Sequence, residues 1–140
     1  MLRRCRGQGL VEAAVALPIV LLLAFGVIAL AQLAQARMGV SAVARESARA
    51  GVLADDGSDA VARGQERGRE VAAGYDMNDG GLQLVVSVPR WDRGEEVVAE
   101  ARYTVSFDYL PLLDRTTIAV GASHRERVDL YRSIPGEEND

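Results

Sequence analysis

A chain of 140 residues and 15.0 kDa has room for one domain, and its net charge of -4 offers no overall basic surface to the polyanionic backbone of a nucleic acid. His124 is the only histidine and Cys5 the only cysteine, which excludes a Cys/His zinc site or a disulfide built within one chain.

Arg3, Arg4 and Arg6 stand ahead of the first acid, Glu12, and from Ala13 to Ala31 follow 19 residues with neither a charge nor an amide side chain. At about 1.5 Å per residue that run reaches roughly 28 Å, close to the ~30 Å of bilayer hydrocarbon. It is apolar all round, unlike the one-sided helix of a soluble core, so it reads as a membrane-spanning helix over residues 8–33 behind a basic leader, 1–7. The arginines assign the leader to the cytoplasm and everything after the helix to the far side of the membrane. The same features, with Ala34-Gln35-Ala36 before Arg37, also fit a signal peptide that releases a secreted product cut after Ala36.

Glu12 sits at the edge of the apolar run, where an ionisable group is costly unless it snorkels to water or finds a partner. Pro18 lies inside the run; it removes the amide that would bond the carbonyl of Ala14 and crowds that turn, which predicts a helix kink. Beyond Leu33 the helix is expected to continue as a soluble extension over 34–51, because Arg37, Ser41, Arg45 and Arg49 recur every fourth residue while Val40, Val43, Ala44 and Ala48 fall on other sides. Glu46 and Arg49 are spaced for an i, i+3 pair. One helix from about Leu10 to Ala50 would reach roughly 60 Å.

The remainder, 52–140, reads as a small α+β head. Asp55-Asp56-Gly57-Ser58-Asp59 breaks the helix, and Ser58 or Asp59 is placed to cap a second one ending near Ala73. That helix is mostly polar, with only a narrow stripe, such as Val61 and Val71 with neighbouring alanines, left to pack. Asp76-Met77-Asn78-Asp79-Gly80-Gly81 is a turn whose spacing is not that of an EF-hand loop. Leu82, Leu84, Val86 and Val88 alternate with Gln83, Val85 and Ser87, and Pro89 stops the run. Val97, Ala99, Ala101, Tyr103, Val105 and Phe107 alternate with Glu100, Arg102, Thr104, Ser106 and Asp108, which predicts a sheet with one wet face. The short connection Arg90–Glu95, containing Gly94, makes these two strands an antiparallel hairpin. A third strand, Thr116 to about Arg127, brings Ile118, Val120 and Ala122 to one face. Trp91, in the hairpin connection, is either a lid on the sheet or an exposed contact.

Arg6-Gly7-Gln8-Gly9-Leu10-Val11-Glu12 resembles the leaders cut by prepilin peptidases. Ala44-Arg45-Glu46-Ser47-Ala48-Arg49-Ala50 resembles the alanine- and arginine-rich signature of TadE-like proteins, the minor pilins or pseudopilins of the tight-adherence (Tad, or Flp) pilus. With Pro18, the order of strands and Tyr109-Leu110-Pro111-Leu112-Leu113, the resemblance covers most of the chain. Ala13 stands where these families usually carry an aromatic residue.

The resemblance implies scission between Gly7 and Gln8, with Glu12 then fifth in the mature chain and setting subunit register. An apolar carboxylate–ammonium pair can do so because each charge removes the other's desolvation penalty. Leu21, Leu22, Leu23, Phe25, Val27 and Ile28 would form the assembly face. The implied partners are the inner membrane, crossed once with the amino terminus in the cytoplasm, a prepilin peptidase, and other pilins of the same system. The head would lie in the periplasm or outside, where the chain joins or primes a type IVb-like filament for adhesion or secretion. No enzymatic activity, cofactor or nucleic acid is expected, since no P-loop, Rossmann or G-x-S-x-G pattern is present. An uncleaved single-pass protein whose head binds an envelope partner remains the other reading.

Overall fold

The computed structural model describes residues 5–92, 94–108 and 115–129, with side chains from Gly9 onward. Helix α1 runs without interruption from Cys5 to Val52, 48 residues or about 72 Å at the helical rise. A tight bend turns the chain into α2, Gly57–Ala73, which packs back along the distal part of α1. Strands β1 (Leu82–Ser87), β2 (Glu96–Ser106) and β3 (Thr117–Arg127) form one antiparallel sheet in the order β1-β2-β3. The register runs from Leu82 opposite Tyr103 to Ser87 opposite Val98, and from Glu96 opposite Arg127 to Ser106 opposite Thr117. The architecture is therefore the expected α+β one, a long apolar helix extended into a head of one further helix and a three-stranded sheet.

The alternation read from β2 holds, with Tyr103 only half-buried on the inward face. Val97, Ala99, Ala101, Val105 and Phe107 are buried, while Glu100, Arg102, Thr104 and Ser106 face water. These inward side chains meet α1, whose Ala36, Val40, Val43, Ala44 and Ala48 are buried, while Arg37, Ser41, Arg45 and Arg49 stay exposed on the period of four expected of them. The α1 helix is thus the central stave of the head as well as its stalk.

Three local expectations are corrected. The buried face of α2 is Ala60, Gly64, Gly68 and Ala72, with Val61 and Val71 only half-buried at its margins. Two helices meeting through glycine approach too closely for valine: a Cβ on Gly64 would lie 2.9 Å from the carbonyl oxygen of Ser47. The cap of α2 is Asp56, not Ser58 or Asp59; its carboxylate accepts the amides of both, each at 2.8 Å, so the helix begins at Gly57. In β3 Ile118, Val120 and Ala122 share one face as expected, with Val120 buried, Ala122 half-buried and Ile118 39% exposed. Glu46 reaches across to Arg67 of α2 at 3.7 Å and to its neighbour Arg45 at 3.9 Å, and no pair with Arg49 forms among the described residues.

Candidate functional site

Among the described residues most of the exposed large apolar side chains lie on the first half of α1. Among the described residues this is the one helix long and apolar enough to cross a membrane, and its apolar window is not buried at all by the rest of the chain. Leu21, Leu22, Leu23, Val27 and Ile28, expected on the assembly face, are all exposed, as are Leu10, Val11, Val15, Leu17, Ile19 and Val20. Phe25 is different: with Ala29 and Leu33 it is half-buried against the core that contains Val105 and Phe107. Sequence pattern does not separate Phe25 from its neighbours, because the run is apolar on every side and only the head's position distinguishes one face.

Glu12 is exposed on this rod, flanked by Val11, Val15, Ala16 and Ile19 in an open apolar trough. A carboxylate set among aliphatic side chains has no partner of its own kind within that trough, and lipid would penalise it there. Pro18 lies inside α1, which continues through it. Gly7 and Gln8 belong to the first turns of α1, and their side-chain positions lie outside the described residues, as do Tyr109–Leu113.

The head offers less chemistry. Between α1, the α2–β1 turn and β2 lies an open hollow of about 260 Å³ lined by Gln32, Gln35, Tyr75, Asp76, Asp79 and Tyr103 among others. Asp79 is committed to structure: it accepts the Tyr103 hydroxyl at 2.9 Å and the Gly81 amide at 3.0 Å. Burial first, then the Asp79 carboxylate, raises the Tyr103 phenol above its ordinary value. His124 lies 3.3 Å from Glu126 on the same strand face. No group of three or more His, Cys, Asp or Glu that could hold a metal ion occurs among the described residues. At the distal end Trp91 is half-buried beside Val86, Val97 and Val128, and its indole N–H donates to the carbonyl of Asp55 at 3.2 Å. It acts as the lid rather than as a free contact.

Residues 7–49 match the family model described as TadE-like protein. The matched stretch begins at the expected scission glycine and ends within the alanine- and arginine-rich signature, so it takes in the whole bare rod and the part of α1 that enters the head. No curated protein and no solved structure matches the chain.

Proposed function

With the TadE-like match over residues 7–49 as premise, which implies a membrane-associated component of the Tad pilus, we propose that this chain is a minor pilin or pseudopilin that assembles or primes the filament and is not an enzyme. In this reading the basic leader stays in the cytoplasm, α1 crosses the inner membrane once, and the head stands in the periplasm or outside. A prepilin peptidase cuts between Gly7 and Gln8. Glu12 then accepts the amino terminus of a neighbouring subunit within lipid, and the bare faces carrying Leu21–Leu23, Val27 and Ile28 pack against other pilins.

The observation that carries the proposal is an overlap: the matched segment contains the apolar run that the fold leaves bare, together with the part of α1 that enters the head. A soluble protein would not leave so many large aliphatic side chains without a partner. Packing also weighs against release by a cut after Ala36. That cut removes Ala36, Leu33, Ala29 and Phe25 from the core and uncovers Val105 and Phe107.

Amino-terminal sequencing of protein recovered from membranes tests the reading. The wild-type chain is expected to begin at Gln8, and Gly7→Val to keep its leader and stay out of filaments. A wild-type product beginning at Met1 refutes processing, and one beginning at Arg37 refutes the anchored pilin altogether.

A further inference from the structure

The head and the apolar run overlap in height. A Cβ on Gly51 would lie 2.8 Å from the Val97 side chain, which fixes the top of β2 at the level of residue 51. From Val97 to Phe107 is ten residues, about 33 Å of strand, and the same descent along α1 takes about 22 residues at the helical rise. Phe107 therefore lies near the level of residue 29, in agreement with the packing of Phe25, Ala29 and Leu33 against its cluster. The base of the head, where Phe107 accompanies Asp108, Arg115 and Thr117, is thus level with the last turns of the charge-free run.

On the sides of α1 that the head leaves open, Val27 and Leu30 are 66% and 67% exposed. If the head stood clear of the bilayer, these side chains would be in water. Lipid would then be left with Leu10–Ala24, about 22 Å against a hydrocarbon thickness of ~30 Å. Placing the hydrocarbon over Leu10–Ile28 gives about 28 Å and puts Glu12 near the inner boundary. On the same scale Asp108 and Arg115, one step below Phe107, fall at the outer boundary itself, and Thr117, paired with Ser106, falls just beyond it; all three are exposed and polar.

We propose that the base of the head, at Asp108, Arg115 and Thr117, is seated in the phospholipid headgroup layer, so that the bilayer itself is the partner that covers this end of the sheet. This inference rests on the membrane-spanning part of the proposed function. The headgroup layer suits these side chains: it is wet enough for a carboxylate and two hydrogen-bonding groups, and its phosphates match the Arg115 guanidinium. The arrangement also sets how far the head can tilt, because one side of the stalk is walled by the sheet down to the lipid.

Spin labels on the full chain test it. In a Cys5→Ser background, single cysteines replace Thr117 at the base, Ala62 on the exposed distal face of α2, and Leu23 in the span, with one chain per lipid nanodisc. Collision with an aqueous nickel chelate is compared with collision with oxygen. The expected result is oxygen-dominated contact at Leu23, free nickel contact at Ala62, and nickel contact at Thr117 reduced several-fold from Ala62. Nickel contact at Thr117 equal to that at Ala62, with Leu23 still in lipid, overturns the seating alone. Nickel contact at Leu23 overturns the membrane reading beneath it. Protection of Thr117 that vanishes in singly loaded discs but returns in crowded vesicles assigns the cover to a second copy, and also overturns the proposal.

Discussion

The contact between α1 and α2 is the most exacting piece of packing in the head, and Gly64→Ala tests it. In an unconstrained helix this change stabilises by about 0.8–1.0 kcal/mol, because alanine loses less backbone entropy than glycine. Here the new Cβ would sit 2.9 Å from the Ser47 carbonyl oxygen and 3.0 and 3.3 Å from the two γ-methyls of Val86. One obstacle is α1 backbone and the other a branched side chain on the sheet, so α2 cannot retreat from one without closing on the other. Overpacking of this kind costs about 1–3 kcal/mol, which outweighs the propensity gain and leaves a net loss of about 1 kcal/mol. For a domain of this size that lowers Tm by about 4–8 °C. Thermal melts of the detergent-solubilised chain, followed by circular dichroism in the sheet region, give the number. Ala62→Gly on the exposed face of α2 supplies the propensity scale in the same helix. A Gly64→Ala protein that melts higher than wild type would refute the close approach.

Four further outcomes follow from the same structure. Ser47 is fully buried and its hydroxyl has no hydrogen-bond partner among the described residues, so Ser47→Ala should stabilise the head by about 1 kcal/mol; a loss in denaturant titration would mean that the hydroxyl is bonded. Trp91→Phe keeps a ring on the distal core but removes the bond to Asp55, with an expected loss of about 1 kcal/mol by the same titration. Since Trp91 is the single tryptophan, its fluorescence in the wild type should change together with the circular dichroism; an earlier change would show the distal end opening by itself. The Asp56 carboxyl is held below its ordinary value, first by the Ser58 hydroxyl and then by the Asp59 amide. A depressed folded value contributes stability that is complete above the unfolded value, about 3.9, and is lost as pH falls through the folded one. Asp56→Asn retains an uncharged cap, so wild type should lose its advantage over it in acid melts below about pH 4; an unchanged difference would refute the capping role.

How much of this was legible depended on whether a residue declares its surroundings through its own side chain. In β2 most positions are either aliphatic or polar and the two faces are core or water, so alternation translates into burial except at Val98 and Tyr103, which are half-buried. The bare rod was equally plain, since its run from Ala13 to Ala31 carries no polar side chain at all. The packing face of α2 was obscured because its central residues are glycines. Gly64 and Gly68 contribute nothing to an apolar stripe, and what they contribute is the absence of a Cβ where backbone must pass. Their signal was the fourfold spacing of small residues at Ala60, Gly64, Gly68 and Ala72, which outweighed the brighter Val61 and Val71. Asp56, Ser58 and Asp59 are all good caps, and only the bend after Val52 decides which amides point at which oxygen. The link from Glu46 to Arg67 and the half-burial of Phe25 both depend on how far apart elements come to lie, which local pattern does not carry.

The make-up of the core bears on how such a chain would transmit position along a fibre. Its buried residues are mostly alanine and valine, with Met77 and Phe107 the largest, and the chain has no cysteine pair to staple them. A core of small side chains gains little from each one and depends on close approach of whole elements, above all on the α1 segment from Phe25 to Val52. Sliding α1 by one residue would turn its buried stripe by about 100° and drive Arg37 and Arg45 into the sheet. The head is therefore locked to one azimuth and one height on its helix. Because α1 is continuous from Cys5 to Val52, a subunit register set by Glu12 would be delivered to the head as an orientation. If instead Pro18 acts as a swivel, Glu12→Gln should scramble assembly while a crosslink between heads keeps a single geometry; scrambling of both together is what a rigid stave requires.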